Sequence, residues 1–245
     1  PDRQIRRRHG VVYQISENMN LFASYSEGLL FRRAATATGG HLDPEQGKQW
    51  EAGIKAKLFD ERLNMALAYF TIDRDNVAAS DPDFPGQPFN IGIDGQKHEG
   101  VEFEAIGEPI PGWNIFLSYG YTDVTVTDAP FPGMIGQQRA NTPRHQIKLY
   151  TTYEVLEGAL QGLSIGGGIV DVGKREIDNF GTYQLPAYTR VDLRLAYDAL
   201  ENVSFSLNFL NLTDEDILAS YDESYFSGIL FQDYRTVIGK VTMRF

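Results

Sequence analysis

The sequence predicts an all-β protein, a transmembrane antiparallel up-and-down β-barrel to which this chain supplies about eleven strands. Three observations predict it. Apolar residues recur at every second position along most of the 245 residues, and helical periodicity is nearly absent. Short and long connections alternate without exception between the strand-like segments. The chain also closes on "VIGKVTMRF" (Val237–Phe245), a two-faced segment whose last side chain is an aromatic ring.

The segments follow in order. Gly10–Gln14 and Met19–Ser26 open the series, then Lys48–Phe59, Leu63–Asp73 and Gln96–Ile106. Trp113–Val124, Arg144–Val155, Leu163–Val172, Tyr188–Tyr197, Val203–Leu210 and Arg235–Phe245 complete it. In "WEAGIKAKL", Trp50, Ala52, Ile54, Ala56 and Leu58 share one side while Glu51, Lys55 and Lys57 share the other. "TRVDLRLAY" sets Val191, Leu193, Leu195 and Tyr197 against Arg190, Asp192 and Arg194. "VSFSLNF" sets Val203, Phe205, Leu207 and Phe209 against Ser204, Ser206 and Asn208. A half-solvated soluble sheet alternates in the same way. Leu63–Asp73 and Trp113–Val124 are partly apolar on both faces, so alternation does not assign them.

The connections discriminate better. Tight ones fall at Ile15–Asn18, Asp60–Arg62, Glu108–Gly112, Leu156–Gly162 and Asp198–Asn202. Between them come connections of about 15 to 24 residues at Glu27–Gly47, Arg74–Gly95, Thr125–Pro143, Gly173–Ala187 and Asn211–Tyr234, well above ordinary loop length. An outer-membrane barrel segregates its loops in this manner, short in the periplasm and long outside. A cation at the bilayer midplane costs about 2–4 kcal/mol, so the apolar sides must meet lipid and Lys55 and Lys57 the lumen. Tyr25, Trp50, Tyr69, Tyr119, Tyr121, Tyr153, Tyr197 and Phe245 lie near strand ends, where interfacial rings gather, although β-propensity also favours them.

Composition removes other classes. The formal net charge of −11 excludes a phosphate-seeking, nucleic-acid-binding face. Without cysteine there are no disulfides or thiolate metal sites. No apolar run approaches a membrane helix. Four histidines (His9, His41, His98, His145) suggest no Ser/His/acid set at matched depth, so an outer-membrane barrel enzyme is a remote alternative. The acidic runs Asp214–Asp216 and Asp222–Glu223 lack EF-hand spacing, and no metal site is expected. An unpaired strand edge is untenable in hydrocarbon, and eleven is odd whereas bacterial barrels have even numbers. Earlier strands are therefore expected, and twice eleven is the 22 of plugged outer-membrane transporters.

Several stretches resemble TonB-dependent outer-membrane siderophore receptors, nearest the ferric hydroxamate type. "HLDPEQGKQWEAGIKAKLFDERLNMALAYFTIDRDNV" (His41–Val77) is similar to a mid-barrel hairpin of that family. There a Leu-x-Pro-Glu stretch precedes a Trp/Asn-Glu-x-Gly-x-Lys strand. "HEGVEFEAIGEPIPGWNIFLSYGYTDV" (His98–Val124) resembles the next hairpin, and "RANTPRHQIKLYTTYE" (Arg139–Glu154) the next strand. "LNFLNLTDEDILAS" with "DYRTVIGKVTMRF" resembles the closing hairpin. "DEDILASYDES" lacks the basic or aromatic residue the family often places after Asn-Leu-Thr-Asp.

The resemblance implies a receptor integral to the bacterial outer membrane that imports ferric siderophores, with TonB as the energy source. Residues 1–245 would be the C-terminal part of its barrel. An N-terminal plug domain and earlier strands would lie outside this chain. It also implies that terminal Phe245 is a signal for the barrel-assembly machinery. No covalent cofactor is expected, the ferric siderophore being cargo. Tyr221, Tyr225, Phe226, Phe231 and Tyr234 are candidate contacts for a bulky iron chelate, in keeping with the apolar character of most pockets. The alternative for these rings is the upper girdle or loop packing. A passive porin would read almost identically along the wall.

Overall fold

The computed structural model describes residues 6–31, 34–93, 95–222, 228–232 and 234–244. In chain order the strands are β1 (Arg8–Ser16), β2 (Met19–Leu30), β3 (Glu45–Leu58), β4 (Leu63–Asp75), β5 (Val77–Ser80) and β6 (Asn90–Ile93). Next come β7 (Gly95–Ile110), β8 (Trp113–Asp128), a 3-10 turn at Pro132–Met134, β9 (His145–Glu154) and β10 (Leu163–Val172). Then follow β11 (Arg175–Glu176), β12 (Gln184–Leu185), β13 (Tyr188–Leu200), β14 (Val203–Leu210), β15 (Leu218–Asp222), β16 (Gly228–Phe231) and β17 (Thr236–Met243).

Eleven of these form one sheet whose spatial order follows the chain: β1, β2, β3, β4, β7, β8, β9, β10, β13, β14, β17. Each expected segment is one strand of it, and neighbours pair antiparallel. The other six strands form three small hairpins, β5–β6, β11–β12 and β15–β16, inside long connections that the sequence reads as irregular. Strands of two to five residues are too short to show a period. Several sheet strands also run past their expected ends on the long-connection side. β2 continues to Leu30, and β7 and β8 are still paired at Gly95 and Asp128. Paired backbone satisfies its own N–H and C=O groups, so these hairpins continue beyond the apolar band.

Register assigns the two ambiguous strands. Ile54 stands opposite Leu21 and Leu67, and Leu67 opposite Phe103. Met65, Leu67 and Tyr69 therefore share the apolar face, while Ala66, Ala68 and Phe70 share the face of Lys55 and Glu102. On β8, Leu117 and Tyr119 align with Leu149 and Ile147, and Ser118 with Lys148. Apolar residues on the polar face have a packing reason. A Cβ added to Gly100 would come 2.6 Å from the ring of its cross-strand partner Phe70. Gly53 with Phe22 and Gly168 with Tyr150 repeat the arrangement, each at 2.7 Å. The rings lie flat over bare backbone, a known way of covering a strand glycine, and Phe70 is only 8% exposed.

Among the described residues no second layer covers the apolar face; Trp50 is 60% and Leu67 45% exposed. A water-soluble sandwich would bury these side chains, and a wall facing lipid need not. Rings mark both borders. Tyr25 and Trp50 touch at a centroid separation of 4.7 Å near the long-connection end, and Tyr69, Tyr119 and Tyr121 lie toward the same end of their own strands. Trp113, bonded through Nε1 to Thr151 Oγ1 at 2.8 Å, lies with Tyr153 at the short-turn end. From Trp113 to Tyr121 is about 27 Å along the strand, or about 21 Å at a tilt of about 40°, close to the apolar band of such barrels.

Candidate functional site: a packed loop layer beside a polar cavity

At the long-connection end the loops fold on one another. Val77, Ala79, Ile93, Val126, Ala129 and Met134 form a buried apolar cluster, with Ile91 and Phe131 against it. It joins hairpin β5–β6 to the connection between β8 and β9. Val77 and Ala79 on β5 and their register partners Ile93 and Ile91 on β6 supply one apolar side, and the 3-10 turn supplies Met134. Phe131 meets Phe180 edge-on at 6.4 Å, bringing in the connection after β11. Arg139 ties the same three parts together. Its Nη1 donates to Asn179 Oδ1 at 2.8 Å and its Nη2 to the Ala78 carbonyl at 3.3 Å, while Ala140 N–H donates to Asn179 Oδ1 at 3.0 Å.

Arg139 also lines a cavity of about 510 Å³ on the polar face, built by β4, β7, β8, β9 and residues 139–143. Arg74, Gln96 and His98 stand at its long-connection end, Glu102, Glu104 and Lys148 further down the wall. Arg74 is held by Glu45, which its Nε meets at 2.8 Å and which is 7% exposed. Gln96 is 2% exposed and its amide nitrogen has no partner among the described residues. The cavity thus offers cationic and neutral donors near its mouth and carboxylates below.

The connection between β14 and β17 is fastened separately. Asn211 is 1% exposed and left-handed at φ 50°. Its N–H donates to Asp192 Oδ1 at 2.9 Å, and its amide exchanges hydrogen bonds with the Glu215 backbone at 2.9 and 3.0 Å. Asn tolerates this conformation because its short side chain bonds locally. Arg235 grips Asp214, through its N–H at 3.0 Å and its guanidinium at 3.3 Å. Arg175, nearly buried, donates to the Leu218 carbonyl and lies 5.5 Å over the Tyr188 ring. Burial lowers its pKa from the ordinary value, and Tyr188 acts in the opposite sense.

Of the aromatic candidates, Phe231 and Tyr234 sit on this second connection and do not line the cavity. Tyr221 is placed by its backbone on β15, and Phe231 ends β16 opposite Leu218. Phe231 and Tyr234 are each 62% exposed. Tyr225, Phe226 and Phe245 lie outside the described residues. Sequence reasoning missed Arg74, Gln96, His98 and Arg139. A polar pair such as Gln96 and His98, spaced two apart at the top of a strand, was the available signal.

A family model described as "TonB dependent receptor-like, beta-barrel" matches residues 8–212. The chain belongs to that family. It is 33% identical over 219 residues to the metal-pseudopaline receptor CntO of Pseudomonas aeruginosa, covering 89% of this chain and 30% of that one. The ferrioxamine B receptor of Salmonella typhimurium is 30% identical over 245 residues, covering 98% and 34%. Pseudomonas aeruginosa FpvA, solved bound to heterologous pyoverdines, superposes with a TM-score of 0.79 at 27% identity, covering 97% and 32%. The chain therefore spans about a third of the length of these relatives. It is part of an outer-membrane β-barrel, its polar face lining the lumen and its apolar face meeting lipid. It groups with receptors and transporters rather than with barrel enzymes.

Proposed function

We propose that the protein to which this wall belongs is an outer-membrane receptor that imports ferric siderophores with energy delivered by TonB. One observation carries the reading: three of the long connections pack on one another beside a lumen cavity whose mouth is lined by Arg74, Arg139, Gln96 and His98. A passive pore gains nothing from this, whereas a receptor needs surfaces fixed before ligand arrives. The cavity adjoining Arg139 would receive the chelate, and the outer connection whose sequence carries Tyr221, Tyr225, Phe226, Phe231 and Tyr234 would offer a separate aromatic surface for its first encounter with the receptor. On this reading residues 1–245 are the C-terminal part of a barrel of 22 strands, with β1 pairing with an earlier strand and a plug domain filling the lumen. Phe245 would be recognised by the barrel-assembly machinery.

The test is uptake of radiolabelled iron by cells carrying the full-length gene, with ferric hydroxamates assayed first. Uptake should saturate and should stop when the proton gradient is collapsed or TonB is deleted. Non-saturating uptake indifferent to both would establish a passive pore instead.

A further inference from the structure

The packed loops enclose a second cavity, of about 260 Å³. Its lining shares no residue with that of the polar cavity, although Asn179 in the one accepts a hydrogen bond from Arg139 in the other. Its walls come from the β5–β6 connection, the 3-10 turn and residues 178–180. They include the rings of Phe84 and Phe180, the buried Met134, and the carboxylates of Asp81 and Asp178. Each ring is held by another. Phe84 meets Phe89 edge-on at 5.4 Å and Phe180 meets Phe131 at 6.4 Å, yet both wall rings remain exposed. The walls are therefore in place before anything enters.

The carboxylates lack a counter-charge. Asp81 is 9% exposed, and among the described residues its side chain accepts one hydrogen bond, from the Asp83 N–H to Oδ1 at 3.1 Å. Asp178 Oδ1 accepts from the N–H groups of Phe180 and Thr182 at 2.9 and 3.1 Å. Neither aspartate forms an ion pair among the described residues. Aspartate is seldom buried without a cation beside it, because an isolated carboxylate loses more on leaving water than one N–H returns. A hard metal ion is a poor occupant: calcium takes about six to eight oxygen ligands, and phenyl rings supply none. An organic cation suits both halves of the lining, since ring faces attract it and the carboxylates neutralise it.

We infer that this cavity is a binding site for a small alkylammonium ion. Its charged end meets Asp81 and Asp178, and its hydrocarbon end lies against Phe84 and Phe180. The volume suits one such group, being below the usual range for whole drug-sized ligands. This inference does not depend on what the receptor imports.

The experiment titrates the full-length receptor, in detergent near neutral pH, with n-butylammonium chloride and separately with n-butanol. Binding is read by saturation-transfer NMR on the probe. The amine should bind saturably, and the alcohol, similar in shape but uncharged, should not. Asp81→Asn keeps an Oδ1 acceptor for the Asp83 N–H and should weaken amine binding about tenfold, the worth of one hydrogen bond to a charged group. Phe84→Leu should weaken it about threefold through loss of the ring face. Asp60→Asn, in the tight β3–β4 turn at the other end of the wall, should leave it unchanged. Equal binding of the alcohol, full binding by Asp81→Asn, or displacement of the amine by an equal concentration of calcium chloride would overturn the site. If the Asp81→Asn receptor does not assemble, Phe84→Leu and the alcohol comparison decide, because the Phe84 ring is exposed and its loss leaves the loop cluster intact.

Discussion

Arginine at Leu67, compared with arginine at the very next residue, Ala68, tests the two-faced wall at single-residue resolution. Leu67 is central among the outward positions of β4 from Leu63 to Thr71, flanked in register by Ile54 and Phe103. It is 45% exposed, all of it toward lipid on the present assignment. A guanidinium at the bilayer midplane costs about 2–4 kcal/mol. That lowers the folded-to-unfolded ratio by about thirty-fold to several hundred-fold at about 1.4 kcal/mol per factor of ten. Ala68 points into the lumen between Gly53 and Glu102. An arginine there meets water and a carboxylate, and the change should stay within about 0.5 kcal/mol, as for ordinary surface positions. The assay is urea unfolding of the full-length protein inserted in lipid vesicles, followed by tryptophan fluorescence. Ala68→Arg unfolding at the same denaturant concentration as Leu67→Arg, or lower, would refute the assignment of faces.

Three further outcomes are expected. Ile93→Ala removes a fully buried side chain from the loop cluster and should cost about 2–5 kcal/mol locally. Limited proteolysis should then cut the outer loops faster while the membrane-embedded wall survives. Gly100→Ala drives a methyl to 2.3 Å from the Tyr121 carbonyl oxygen and into Phe70, and should destabilise by about 1–3 kcal/mol; at Gly28 nothing lies within 4 Å, and alanine there should be silent in the same unfolding assay. Phe245→Lys should reduce the amount of assembled barrel in outer-membrane fractions, and unchanged levels would remove the assembly role from that residue.

The strands were legible because lipid and lumen impose opposite chemistry on alternate residues, and every sheet strand is long enough to display it. The ambiguous stretch Leu63–Asp73 was obscured by Phe70, an aromatic residue on the wet side that is protected by a glycine thirty positions later in the chain. No local pattern reveals such a pair. The outer loops were legible as long but not as structured, because their core is assembled from Val77, Ile93, Val126 and Met134, four residues on four separate pieces. Glu45 shows the same limit in another form. The Leu-x-Pro-Glu stretch stood out in the sequence, yet only the fold shows that its carboxylate restrains Arg74 at the mouth of the cavity. Asn211 was visible inside Asn-Leu-Thr-Asp, but its left-handed backbone and its grip on Glu215 were not.

The rings laid over Gly53, Gly100 and Gly168 carry a consequence for traffic through the bore. Three bulky side chains that could have narrowed the passage are folded sideways against its lining. The clear width is then set by main chain and by slender, bendable polar groups such as Lys55 and Lys148, which can swing aside. Anything sliding along this inner surface would meet few rigid obstacles, and enlarging any of the three glycines should turn a ring into an obstruction.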